Sequence, residues 1–367
     1  LKGDQLPLNG LRDNPRATKL LLLIRDESAN VSQLPLPGSV PQIQQNPDRG
    51  FVYYYLDRVF YFMKTGYLID MDGVIYRENH LIPGAVEFIE ALQASGTPFL
   101  FLTNNSAPTP EDLAVRLKHL GIQGVWARHF YTSALNAADF LSETDPNCSV
   151  FVLGEAGLLA ALHERKIAND SIRPSYVVVG EGSTTMERLA KAHEFIERGA
   201  RLLATNPDNW CPVSSEKTRP GAGATAAFLE ASSGRRAFYL GKPNGYMFHQ
   251  ARRKLSSLAL SEPDNVVMIG DTMETDIRGG FEAGLQSYLV LSGSTQLENV
   301  GDYVYQPTRI LQTVGELAEE IKTGIPCDRM NSPAFRQGGT AMSKSGQRHQ
   351  TDILAFHKPR PRPAMTK

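Results

Sequence analysis

Asp70 and Asp72, separated by Met71 and followed by Gly73, are the residues of this chain best placed to do chemistry. One carboxylate of such a pair can attack an electrophile, and the other, two residues on, can move a proton. Gly73 lets the backbone approach closely and can turn its N–H inward toward an anion. The same residues also suit an ordinary Asp-Gly turn, so the rest of the chain must decide. Three more polar groups have comparable placement: Thr103 and Asn104, Lys242 in Gly-Lys-Pro, and Asp271 with Asp276. Each has a plain reading as well, as loop chemistry, a surface turn or an acid on a helix dipole. Carboxylates gathered at ~4 Å repel by roughly 4 kcal/mol per pair at an effective dielectric near 20. Asp70, Asp72, Asp271 and Asp276 at one edge therefore call for a cation. Hard oxygen ligands without Cys or His point to Mg²⁺, with one or two carboxylates and a substrate phosphate around it. A lysine and a hydroxyl facing those acids would hold phosphoryl oxygens.

Such groups converge only if the strands before them are neighbours. Gly66 to Ile69 reads as a short buried strand, and the two aspartates stand where it stops. Phe99 to Leu102 ends in Thr103-Asn104-Asn105-Ser106, Phe238 to Leu240 leads to Lys242, and Asn265 to Ile269 ends in Gly270-Asp271. Helical spacing appears between them: Ala85, Phe88, Ile89 and Leu92 closed by Gly96, then Leu113, Leu117 and Leu120 after a Thr109-Pro110-Glu111-Asp112 start. Ser133 is expected to cap the next helix, and another helix is expected to start near Asp276. Tyr288 to Leu291 is expected to be the last strand of the set. The alternation predicts an α/β fold with a doubly wound, mostly parallel sheet, whose carboxyl edge is where ligands bind. Gly221-Ala-Gly223-Ala-Thr-Ala226 matches a dinucleotide fingerprint, but Ser214 to Pro220 before it reads as a polar loop, not a strand. A glycine-rich loop closing on a substrate is the preferred reading.

The chain has 367 residues, enough for two domains, with 41% hydrophobic and 21% charged residues. Its net charge of −1 gives no reason to expect nucleic acid or an anionic membrane as partner. No apolar run approaches the ~20 residues of a membrane span. Three scattered cysteines suit a reducing cytoplasm and offer no disulfide framework. Residues 1–62 are rich in Pro, Gln, Asn and Arg with little periodicity, and translation is expected to start at Met63, leaving 1–62 a disordered or non-native extension. The tail at 326–367 is basic and short of apolar residues, and is expected to be flexible.

The assembled motifs resemble the haloacid dehalogenase superfamily of phosphohydrolases, and within it the class IIA, NagD-like branch with a large α/β cap. The resemblance covers Asp70-Met-Asp72-Gly-Val, Leu102-Thr103-Asn104-Asn105, Phe130-Tyr-Thr-Ser-Ala134, Ala204-Thr205-Asn206-Pro207-Asp208, Gly241-Lys242-Pro243 and Gly270-Asp271-Thr-Met-Glu-Thr-Asp276. It implies Asp70 as the nucleophile, forming an aspartyl-phosphate, and Asp72 as the acid that protonates the leaving oxygen and then activates water. Thr103 and Lys242 would bind the phosphoryl group, with Asn104 and the Gly73 N–H beside it. Mg²⁺ would be held by Asp70, the carbonyl of Asp72, and Asp271, with Asp276 in support. Core halves at 63–144 and 238–325 would flank a specificity cap at 145–237. Within that cap, Asn206 and Asp208 are candidates to meet substrate. Asp208 would accept hydrogen bonds from a ribose or base, or simply cap a turn after Pro207. The implied activity is a Mg²⁺-dependent phosphomonoesterase acting on small phosphorylated metabolites, nucleoside 5′-monophosphates such as UMP first. Phosphoglycolate, pyridoxal phosphate and sugar phosphates are the alternatives, and a non-catalytic phospho-ligand sensor is the reading from another class.

Overall fold

The computed structural model describes residues 65–214, 217–259 and 262–323. The expectations for 1–62, for Met63 and for the tail at 326–367 lie outside the described residues. The chain begins with β1 (Thr65–Ile69), a small hairpin of β2 (Tyr76–Arg77) and β3 (His80–Leu81), α1 (Ala85–Ser95), β4 (Phe99–Thr103), α2 (Pro110–His119), β5 (Phe130–Thr132) and α3 (Ser133–Thr144). A second series runs through β6 (Ser149–Leu153), α4 (Ala156–Glu164), β7 (Ala168–Asn169), β8 (Tyr176–Val179), α5 (Met186–Glu197) and β9 (Arg201–Ala204). It continues into a hairpin of β10 (Trp210–Ser214) and β11 (Lys217–Pro220), then α6 (Ala222–Ser233) and β12 (Phe238–Tyr239). The chain then returns through α7 (Gly245–Leu258), β13 (Asn265–Gly270), α8 (Arg278–Glu282), β14 (Gln286–Val290), β15 (Arg309–Leu311) and α9 (Glu316–Thr323).

Two sheets result. The first has six strands in the order β15-β14-β13-β1-β4-β5, with every pairing parallel. The second has the order β12-β9-β8-β6-β7 and is also parallel throughout. This is the expected α/β, doubly wound architecture. Strand alternation shows why: Leu68, Leu100 and Leu102 face α3 and α7, whereas Ile69, Phe99 and Phe101 face α1, α2 and α9. Burying one such side chain contributes about 1.5–3 kcal/mol, so a strand apolar on both faces must lie inside a sheet covered on both sides. The apolar cluster around Leu68 continues through α3 and α4 into Val150, Val152 and Val178, so the two sheets share one core across their junction.

Local signals behave as their chemistry requires. Thr109 and Asp112 form a reciprocal capping box at the start of α2, and Gly96 closes α1 at φ 65°, where a Cβ would be strained. Several expectations need correction. Thr132, not Ser133, caps α3, accepting from the Leu135 N–H, while the Ser133 hydroxyl donates to the Asn104 carbonyl. Asp276 lies in a π-turn (Met273–Ile277) ahead of α8, not at the start of an ordinary helix. β15 follows Tyr288–Leu291, so β14 is not the last strand. Phe238–Tyr239 pairs with Leu203 and Ala204 of the second sheet, not with the first, and Phe238 packs on Phe140 with ring centroids 5.4 Å apart. Within the stretch read as a polar loop, Ser214 ends β10 and Lys217–Pro220 forms β11, the two arms of an antiparallel hairpin; Lys217, Thr218 and Pro220 are exposed, so no apolar alternation marks β11. Gly221 and Gly223 enter α6 instead of forming a loop. A Cβ on them would lie 2.2 Å from the carbonyl oxygens of Asp208 and Pro207 respectively, so they serve close packing. Among the described residues no helix is long and apolar enough to cross a membrane.

Candidate active site

Strand order decides the site. Because β1 lies between β13 and β4, Asp70 stands beside Asp271 on one side and Thr103 on the other, all at the carboxyl edge. The Asp70 N–H donates to the Ile269 carbonyl at 2.8 Å, which carries the ladder one residue past β1 and fixes the aspartate's backbone. Lys242 reaches this edge from the loop after β12. Its Nζ lies 2.7 Å from Asp70 Oδ1 and 2.7 Å from Asp276 Oδ1, with the lysine side chain 3% exposed. Burial alone would lower its pKa, but the Asp276 and Asp70 carboxylates more than reverse this, so the ammonium is retained. Thr103 is buried at the end of β4, and its Oγ1 accepts the Asn105 N–H at 3.1 Å, leaving the hydroxyl proton for another acceptor.

One oxygen each from Asp70, Asp271 and Asp276 lies within 4.8 Å of the others. Asp271 is held by the Ser294 N–H on Oδ2 at 2.6 Å and by the Thr272 hydroxyl on Oδ1 at 3.1 Å. Asp276 Oδ2 accepts the Thr272 N–H at 3.2 Å. Burial and the neighbouring Asp70 raise the Asp271 pKa, and burial raises that of Asp276 against the pull of Lys242. Asp72 is pushed up to about 7, first by burial and then by Asp70, with the Arg116 guanidinium opposing. Three buried all-oxygen ligands with a single lysine between two of them leave excess negative charge. A hard divalent cation fits that donor set.

That charge excess has a testable consequence for stability. The folded pKa of Asp72 is raised above the ordinary carboxylate value of 3.8, so its stabilising contribution is complete below that value and is lost as pH rises through about 7. Asp208, raised to about 6 chiefly by burial, acts in the same direction. With a chelator present, the melting temperature is expected to fall by a few degrees between about pH 6 and about pH 8. Excess Mg²⁺ should remove most of that fall. A chelated protein with a flat or rising profile would show that the carboxylates are already compensated within the chain.

Not every candidate residue points at the acids. The Gly73 N–H donates to the Tyr76 carbonyl at 2.8 Å as the 71–76 turn folds on itself, so it is engaged away from an anion. Gly73 matters instead for its φ of 78° and because a Cβ there would lie 2.5 Å from Asp271 Oδ2. Asn206 is fully buried; its Nδ2 donates to the Asn104 carbonyl at 2.7 Å and to Glu181 Oε1 at 3.1 Å, so it holds the junction and has no donor left for a ligand. Asn104 and Asp208 meet each other, with Asn104 Nδ2 at 3.1 and 3.3 Å from the two carboxylate oxygens. Asp208 therefore does not cap its own turn; Asn206 Oδ1 takes its N–H at 3.0 Å.

Some residues of the site escaped sequence reasoning. Ser292, whose hydroxyl donates to the Gly73 carbonyl, and Gly293 and Ser294, which cradle Asp271, follow β14 at the same edge. Extending the strand-end rule to Ser292-Gly293-Ser294 would have found them. Glu181 and Arg116 carried no such signal. Glu181 binds Asn206, the Ala222 N–H and the Cys211 thiol, which is pushed up to about 11 by burial and by this carboxylate. Arg116 lies 4.2 Å above the Tyr76 ring and donates to the Glu78 carbonyl at 2.7 Å, bracing the hairpin that follows Asp72.

The chain resembles known proteins in sequence and in fold. The family profile described as haloacid dehalogenase-like hydrolase matches residues 67–168, and a HAD-hydrolase-like profile matches 239–317. The dihydroxyacetone phosphatase of Corynebacterium glutamicum (strain R) is 37% identical over 258 residues, 70% of this chain and 92% of that protein. The ribonucleotide monophosphatase NagD of Escherichia coli K12 is 36% identical over 251 residues, 68% of this chain and 96% of its own length. The solved structure of NagD from the K-12 strain superposes with a TM-score of 0.63, covering 69% of this chain and 98% of that one. With both halves of the catalytic sheet matched and nearly the full length of these relatives covered, the chain belongs to the haloacid dehalogenase-like hydrolases, in their class IIA, NagD-like branch of phosphatases.

Proposed function

We propose that this phosphoric monoester hydrolase is Mg²⁺-dependent and acts on nucleoside 5′-monophosphates such as UMP, through an aspartyl-phosphate on Asp70. The observation that carries the chemistry is the Lys242 ammonium held 2.7 Å from both Asp70 and Asp276 at the edge where Thr103 also ends. An Asp70 oxygen attacks phosphorus while the ester P–O bond breaks. Thr103 and Lys242 bind the non-bridging oxygens, and the lysine's charge stabilises the negative charge that builds up on them. Asp72, whose pKa burial and the neighbouring Asp70 push up to about 7, gives its proton to the departing alkoxide. The resulting carboxylate then takes a proton from the water that hydrolyses the acyl phosphate, freeing Asp70 and releasing phosphate. Mg²⁺, held by Asp70, Asp271 and the Asp72 carbonyl with Asp276 in support, would supply neutralising charge for the phosphoryl group and the acids.

The segment at 145–237 is the cap in this reading, and its sheet reaches Tyr239 through β12. The nucleotide assignment is supported by the name of the NagD relative. The dihydroxyacetone phosphatase relative, of similar identity, supports a second reading, a small triose or sugar phosphate. A phosphate-release panel with and without Mg²⁺, containing UMP, dihydroxyacetone phosphate, phosphoglycolate, pyridoxal phosphate and sugar phosphates, separates them. UMP is expected to give the highest kcat/KM, and only with the metal. A higher value on a non-nucleotide would move the assignment to that class, and release unaffected by chelation would remove Mg²⁺.

A further inference from the structure

The loop after β4 does more than present Thr103. Asn104, only 8% exposed, has both ends of its carboxamide engaged. Its Oδ1 accepts the Lys242 N–H at 2.7 Å, and its Nδ2 lies 3.1 Å from the Lys242 carbonyl. The same Nδ2 reaches the Asp208 carboxylate. One amide thus clasps the backbone of Lys242 on both sides and, across the junction, an acid in the loop between β9 and β10. Asp208 is itself tied to the second sheet's layer, since its carbonyl accepts the Gly223 N–H at 3.0 Å where α6 packs too closely for a Cβ.

We propose that Asn104 and Asp208 form a latch that makes the placement of Lys242 depend on the cap being seated over the catalytic edge. Asn104 and Asp208 are then positioning residues, and neither needs to touch substrate. The inference rests on Lys242 as the phosphoryl ligand. With the cap seated, Asp208 orients the Asn104 amide, and the amide holds the Lys242 N–H and carbonyl so that Nζ spans Asp70 and Asp276. With the cap lifted, Asp208 meets water, Asn104 loses its charged acceptor, and the Lys242 backbone is held less firmly. Closure then excludes water and completes the phosphate site in one movement. The contact also accounts for a half-buried carboxylate on the cap side of a cluster already rich in acids.

The test uses the full chain with Mg²⁺, p-nitrophenyl phosphate and UMP. Asp208→Ala removes a charge-assisted hydrogen bond and is expected to lower kcat about 10- to 100-fold, by the same factor on both substrates and with KM moving less. Asp208→Asn keeps an acceptor for Asn104 and should recover most of that loss. The double variant Asn104→Ala/Asp208→Ala should be no slower than Asn104→Ala alone, because the two act as one unit. Hydrogen exchange reads the latch without turnover: the Lys242 amide should exchange faster in Asp208→Ala than in the parent. A loss confined to UMP would make Asp208 a reader of the leaving group and overturn the latch. So would multiplicative losses in the double variant, or unchanged exchange at Lys242. Failure of the parent protein to release phosphate from either substrate would strike the catalytic reading, while the exchange measurement would still decide the latch.

Discussion

Asp70→Asn is expected to reduce phosphate release by roughly 10⁴-fold or more, the scale seen when a nucleophile is removed. The amide cannot form the acyl phosphate, and one anionic oxygen is lost from the three that converge within 4.8 Å. The fold should survive. Lys242 keeps its 2.7 Å contact to Asp276, and removing one of several mutually repelling buried carboxylates relieves charge. The melting temperature without metal is therefore expected to hold or rise while activity collapses. Turnover measured on protein verified by intact mass as free of deamidation checks this, and substantial activity there would remove Asp70 from its role.

The second large effect belongs to Asp72. Asp72→Ala is expected to slow UMP hydrolysis about 10²- to 10⁴-fold, the usual range for a positioned general acid–base. Formation of the acyl phosphate from p-nitrophenyl phosphate should suffer less, because p-nitrophenolate leaves without a proton. Hydrolysis of the intermediate still needs a base, so on that substrate the phosphorylated enzyme should accumulate and be detectable by intact mass. Loss of this half-buried acid, whose pKa is pushed up to about 7, should also flatten the decline in stability above neutral pH. Wild-type rates on a nucleoside monophosphate would show that another group moves the proton.

Much of the catalytic edge was legible in the linear chain because its signals are local. A run buried on both faces that stops at an acid, as in β1 and β13, is visible within ten residues, and so are the Thr109 capping box and the Gly96 stop. The motif order then indicated the family. Tertiary structure decided what those groups do with their hydrogen bonds. Whether the Gly73 N–H faces an anion or the Tyr76 carbonyl depends on how the turn closes, and the fully buried Asn206 is engaged by partners 25 and 102 residues away. The same distance problem hid Glu181, whose partners arrive from three separate segments, and placed β12 in the second sheet rather than the first. Periodicity reports which face of an element is buried. It carries no information on which distant backbone group lies opposite a given polar atom, and that pairing separates a ligand-binding amide from one that holds two sheets together.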